Sequence, residues 1–186
     1  VSWLMDVQEL YVRRAPGNTC LSALEGRTHK SEYATTKKPI NNSKGCGGVM
    51  RVAPVGLFYN LPNIERVNEI AADIAAITHS HPLGYIPAAM LAHIVNRLIY
   101  GNCQRGNSFL HIIEESVENA NAHYGDISDM VYMDSLIRSA IEFSGNNNTD
   151  AENIKALGEG WVAEEALAIA IYCALKYQND FSKAMI

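Results

Sequence analysis

Ser43-Lys44-Gly45-Cys46-Gly47-Gly48-Val49-Met50-Arg51-Val52-Ala53-Pro54 carries the reading of the whole chain. Three glycines fall within four residues, and an apolar run at helical spacing follows. Glycine tolerates positive φ and lets another group approach the backbone closely. The run from Val49 to Tyr59 is apolar on most faces and is expected to form a buried helix. Pro54 either bends that helix or marks its true start. The N-terminus of such a helix turns unpaired N–H groups and a positive dipole end towards the loop. Two readings follow: a cradle for an anionic or oxygen-rich ligand, or a tight turn between two helices.

Helical periodicity continues on both sides. Towards the N-terminus, Trp3, Leu4, Val7, Leu10 and Tyr11 recur on one helical face, stopped by Pro16-Gly17. Asn18 or Thr19 is placed to cap a short helix through Leu24. The polar residues 26 to 44 read as a long surface loop, a length that is often functional. Towards the C-terminus, Asn63 caps a helix marked by Ile64, Val67, Ile70, Ala71, Ile74 and Ile77. Pro82 and Gly84 read as breakers in Thr78-His79-Ser80-His81-Pro82-Leu83-Gly84. Further helices are expected from Ala88 to Ile99, from Phe109 with Ser108 as cap, and around Met133 to Ile141. Gly145 to Asp150 reads as an asparagine-rich turn. The last complete helix, Val162 to Tyr177, is apolar enough to be central to the core. Asp180 is placed to cap one more. No alternating strand pattern occurs, so the expected fold class is all-α: one compact multi-helix bundle over residues 1–186.

Composition narrows the function classes. At 186 residues and 48% hydrophobic, the chain can bury a core. A net charge of -5 argues against a broad nucleic-acid footprint, and no apolar run is long enough for a membrane span. Cys20, Cys46, Cys103 and Cys173 form no C-x-x-C pair, and reduced thiols in a cytoplasmic protein are the simplest expectation. Val1 opens inside a helical pattern and Ile186 closely follows a new helix start, so the chain reads as truncated at both ends.

Few side chains are placed for chemistry. His79 and His81, two residues apart, do not share a helix face and make a poor zinc site. Either one is buried and one solvated, or His79 meets a ligand held by the glycine loop. Cys46 at a helix N-terminus opens a Cys46–His79 nucleophilic reading, though no third orienting residue is evident. Arg51 can hold a phosphate or carboxylate, or serve a structural ion pair. Glu159, Glu164 and Glu165 flank a glycine-rich turn, and the last two suit the first turn of a helix. Trp161 can stack on a flat ring or plug the core.

Four segments together resemble the ADP-ribosylglycohydrolase family, of the dinitrogenase reductase-activating glycohydrolase type. Lys44 to Pro54 is similar to its G-x-G-x-x-M-R-x-x-P segment. Arg14-Ala15-Pro16-Gly17-Asn18-Thr19, the Thr78-to-Pro82 corner and Gly158-Glu159-Gly160-Trp161-Val162-Ala163-Glu164-Glu165 agree in order. The resemblance implies an all-α fold and hydrolysis of the glycosidic bond between ADP-ribose and a protein side chain or related acceptor. It implies an ADP-ribosylated protein or small-molecule ADP-ribose conjugate as partner, and two magnesium ions that activate water. It implies that Gly45, Cys46, Gly47, Gly48 and Val49 line the ADP-ribose pocket. His79 then touches ligand at the wall, and Trp161 borders the cavity. Many relatives carry asparagine at the position of Cys46. The family's metal-binding aspartate segments have no counterpart, because the chain holds no Asp-Asp and no Asp-x-Asp. The expectation is therefore the central part of a longer hydrolase domain, inactive alone and prone to self-association through uncovered apolar faces. The alternative is a non-catalytic helical module that binds ADP-ribose or a nucleotide.

Overall fold

A computed structural model describes residues 16–25, 27, 29, 32–58, 63–101 and 108–185. The helix expected from Trp3 to Tyr11 and the residues Arg14, Ala15, Tyr59 and Cys103 lie outside them. The described residues contain helices and no strand. They are α1 (Asn18–Leu24), a 3-10 turn (Val49–Arg51), α2 (Ala53–Phe58), α3 (Ile64–Ala76) and α4 (Pro82–Tyr100). Then follow α5 (Phe109–Tyr124), α6 (Asp129–Ser144), α7 (Asp150–Leu157), α8 (Ala163–Lys176) and α9 (Phe181–Met185).

The helix starts follow from local chemistry. The Asn63 side chain accepts from the Glu65 and Arg66 amides, and Ser108 accepts from His111 N. Each satisfies donors that a helix N-terminus leaves open. Pro82 and Gly84 do not break a helix; they begin one. Pro82 sits at the first position of α4, where its missing N–H costs nothing, and His81 Nδ1 caps Leu83 N at 3.0 Å. α4 therefore starts six residues before Ala88. The segment beyond Gly145 holds a complete helix, α7. Its Thr149 and Glu152 form a reciprocal capping box. The expected Val49–Tyr59 helix is instead a 3-10 turn followed by α2, with Pro54 in the first turn of α2. Met50 and Phe58 are 72% and 79% exposed, so this run is not buried on every face.

The central helix is α4 rather than the one from Val162 to Tyr177. It packs against α2, α3, α5, α6 and α8, and is buried without a break from Leu83 to Met90. α8 packs chiefly on α6, with α4, α7 and α9 beside it. A polar tie joins α7 to α8: Asp150 accepts from Tyr177 Oη at 2.6 Å, from Lys176 Nζ at 2.7 Å and from Tyr172 Oη. Lys176 first, then the two hydroxyls, hold the Asp150 carboxyl well below the usual carboxylate range. No described helix is long and apolar enough to cross a membrane.

One polar cluster lies inside the bundle. His93 on α4 is fully buried, with Nδ1 3.1 Å from Asn68 Nδ2 on α3, which also donates to Asn119 Oδ1 on α5 at 2.6 Å. Its Nε2 is 3.7 Å from Glu115 Oε1, which pairs with Arg97 at 2.6 Å. Burial pushes the His93 imidazole down to about 4; Glu115 opposes this and Arg97 reinforces it. Stability follows by linkage. An unfolded His93 binds a proton near pH 6.5, whereas the folded one resists until about pH 4. The folded state is therefore favoured above pH 6.5 and progressively lost as pH falls towards 4. Between pH 6.5 and 4.5 the melting temperature should fall by at least about 3 °C more in the native chain than in His93→Gln, given the usual 2–4 °C per kcal/mol for this size. Parallel melting curves for the two proteins would sink this assignment.

Candidate ligand-binding site

The polar stretch before the glycine loop is docked on the corner between α3 and α4. Asn41 Nδ2 donates to Thr78 O at 2.9 Å, and Asn41 Oδ1 accepts from Ser80 N and Ser43 N, both at 3.1 Å. Thr36 bonds Asp73 Oδ1 through both its amide and its hydroxyl at 3.0 Å. Loop backbone needs such partners where it is covered. The hydroxyl and amide residues of 36–43 thus act as ties, and they deliver Lys44 to Gly48 to a fixed place.

There the loop lies over His79, which is 3% exposed. A Cβ at Gly47 would stand 2.9 Å from His79 Cε1, and one at Gly45 would stand 3.3 Å from His79 Nε2. A Cβ at Gly48 would press on Ala75 Cβ and Gly84 O, both at 3.2 Å. Gly47 leaves no room for a side chain, and Gly45 and Gly48 leave little, because the imidazole and the α3–α4 corner fill that space. The following helix does not supply the N-terminus expected at the loop, since α2 begins only at Ala53. The loop closes on itself instead, with Met50 N donating to Cys46 O at 3.2 Å. The N–H groups of Gly47, Gly48 and Val49 have no acceptor among the described residues.

A second clamp comes from the start of α8. Cys46 N donates to Trp161 O at 3.1 Å, and Ala163 N donates to Lys44 O at 2.8 Å. Gly45 and Val162 form an isolated antiparallel bridge. The Lys44 ammonium pairs with Glu164 Oε1, and that hydrogen bond raises the Lys44 pKa. Glu164 is fully buried, and its Oε2 has no hydrogen-bond partner among the described residues. Reading Glu164 as a carboxylate at a helix start missed this pair. Glu165 accepts from Glu159 N and Gly160 N at 3.0 and 3.1 Å, which shapes the turn before α8. That turn holds Trp161 outward, 76% exposed, so the indole does not plug the core.

Of the residues singled out in the sequence, Gly45, Cys46, Gly47, Gly48, His79 and Trp161 come together from three separated segments. Val49 joins them by its backbone only, since its side chain is 5% exposed. Arg51 turns away from the loop. Its Nη2 donates to Ile74 O at 3.0 Å, to Ala75 O at 3.2 Å and to Thr78 Oγ1, so it caps the C-terminus of α3. Thr78 Oγ1 in turn lies 2.7 Å from His79 Nδ1. Burial first, and then Arg51, push the His79 imidazole below its ordinary value. Cys20, Cys46 and Cys173 are free thiols. Among the described residues, no group of three or more His, Cys, Asp or Glu is arranged to hold a metal ion.

The family model described as ADP-ribosylglycohydrolase matches residues 1–186. The ADP-ribosylhydrolase ARH3 proteins of Bos taurus and Homo sapiens are each 28% identical over 145 residues, covering 72% of this chain and 38% of the relative. The matched part is thus well under half the length of these curated relatives. No solved structure matches the chain significantly.

Proposed function

The chain belongs to the ADP-ribosylglycohydrolase family, and on that premise we propose that it carries the ligand-holding part of a hydrolase acting on ADP-ribose conjugates. The bond cleaved is the glycosidic link between ADP-ribose and a protein side chain or a related small acceptor. The assembly of the glycine loop with His79 beneath it and Trp161 beside it carries this reading. Three open N–H groups suit diphosphate or ribose oxygens, and an exposed indole on a rigid turn suits a flat ring. The family resemblance also implies magnesium. The described residues offer no carboxylate set that fits such ions, so no step of this reading runs through a metal. The same glycine loop, His79 and Trp161 also suit one further reading, a binding module for ADP-ribose that performs no chemistry.

Calorimetric titration with ADP-ribose tests the proposal. Saturable binding is expected, unchanged by adding magnesium. Trp161→Ala should weaken it several-fold without moving the melting temperature, because the indole is exposed. Absence of any ADP-ribose binding by the native chain would overturn the reading. Release of free ADP-ribose from a conjugate by the same chain would exclude the binding-module alternative.

A further inference from the structure

We infer that Arg51 and Thr78 are positioning residues that lock His79 as a neutral imidazole with its proton on Nε2. His79 then serves the glycine loop as a hydrogen-bond donor and not as a base. Donors and acceptors within one buried chain of contacts fix the tautomer. An arginine has only donors to offer. Its Nη2 donates to Thr78 Oγ1, so that oxygen is an acceptor on this side. Thr78 is 2% exposed and its hydroxyl proton must also be placed. The one acceptor within reach among the described residues is His79 Nδ1, at 2.7 Å. A buried hydroxyl donor left without an acceptor loses its hydration with nothing to replace it. Nδ1 therefore accepts, and in a neutral ring the proton belongs to Nε2.

The charged form is disfavoured on two counts. A protonated Nδ1 would leave the Thr78 hydroxyl proton without its acceptor, and the Arg51 guanidinium stands one residue further along the same chain. The direction of the His79 shift agrees with this geometry. The Nε2 edge faces Gly45 and Gly47, where a Cβ would stand 3.3 and 3.2 Å from it. A donor aimed between two glycines suits an oxygen acceptor lying over the loop. The same tautomer removes the Cys46–His79 nucleophile reading, because a nitrogen that already holds a proton cannot take one from a thiol. The identity of the ligand rests on the function proposed above; the tautomer does not.

The test is a long-range 15N–1H spectrum of the whole chain without ligand, recorded from pH 5.5 to 8. The expected result is a single His79 tautomer wherever the ring is neutral, with Nδ1 unprotonated and Nε2 protonated. Protonated Nδ1, an even mixture of tautomers, or titration near pH 6.5 would overturn the inference. Thr78→Val, nearly isosteric, should release the lock and give a tautomer mixture, while Thr78→Ser should restore the native spectrum. A native-like tautomer in a folded Thr78→Val protein would remove Thr78 from the relay. ADP-ribose is then added. Calorimetric binding that leaves the Nε2–H resonance unmoved would overturn the donor role. No binding at all would overturn the proposed ligand while the apo spectrum still decides the tautomer.

Discussion

Lys44→Met should lower the unfolding free energy by about 3 kcal/mol, at the lower end of the 3–5 kcal/mol seen when one partner of a buried ion pair is removed. The reason is the state in which it leaves Glu164. That carboxylate is fully buried and already has one oxygen without a partner. Removing the ammonium strips the other. The lower end applies because the Lys44 side chain is 40% exposed, so water can reach part of the vacated space. The cost comes from an orphaned charge and is therefore separable from lost packing. Lys44→Met combined with Glu164→Leu should recover most of the loss, because replacing both members of a buried pair by apolar groups is often neutral. Glu164→Gln should cost less than Lys44→Met, since an amide oxygen can still accept from Lys44. Urea unfolding of the native chain, Lys44→Met, Glu164→Leu and the double variant gives the coupling directly, with Glu164→Gln measured beside them. A Lys44→Met protein within about 0.5 kcal/mol of the native chain would show that the pair holds nothing in place. Loop order should follow stability: the Cys46 amide, bonded to Trp161 O, should lose exchange protection in Lys44→Met and regain it in the double variant.

That pair also marks the limit of what the sequence discloses. Lys44 and Glu164 are 120 residues apart, and each has a sufficient local explanation: a basic residue in a polar loop, an acid at a helix start. Only the packed bundle brings them together. The same holds for Arg51, Thr78 and His79, whose relay crosses from the 3-10 turn to the end of α3. What was legible depended on local chemistry. Apolar spacing located α3, α5, α6 and α8, and Asn63 and Ser108 announced their helices as caps. The glycine cluster and His79 were legible as a pair of segments worth joining. Two errors have local causes as well. Pro82 followed by Gly84 was read as a stop, although proline at the first position is also a start signal, and His81 supplies the cap. The Thr149-x-x-Glu152 capping box was readable in the sequence. The asparagine-rich run before it masks that signal, and the helix it opens has only eight residues.

The turn that presents Trp161 is expected to fail in Gly158→Ala, with a loss of about 2–4 kcal/mol. Two costs add there. Gly158 has φ +127°, a backbone conformation that L side chains rarely adopt, and holding one there costs about 1–3 kcal/mol. The new Cβ would also stand 2.3 Å from Glu165 Cδ and 2.5 Å from Glu165 Cγ. Glu165 cannot simply rotate away, because its Oε2 accepts the Glu159 and Gly160 amides, and losing those bonds costs roughly 1 kcal/mol each. Two companion variants separate the costs. Gly158→Ala with Glu165→Ala removes the collision but keeps the strain and loses both bonds, so it should not return to native stability. Gly160→Ala has φ +76° but its Cβ would meet only Ile169 Cδ1 at 3.7 Å, so it should cost about 1 kcal/mol from backbone strain alone. The consequence for the site is specific. Trp161 O is the acceptor for Cys46 N, so a displaced turn moves the indole and loosens the glycine loop together. In a Trp3→Phe background the emission of Trp161 reports this directly. Gly158→Ala should shift that emission and weaken ADP-ribose binding, whereas Gly160→Ala should change both much less. A Gly158→Ala protein that melts with the native one and keeps its Trp161 emission would show that the turn is not set by Glu165 and the glycine backbone.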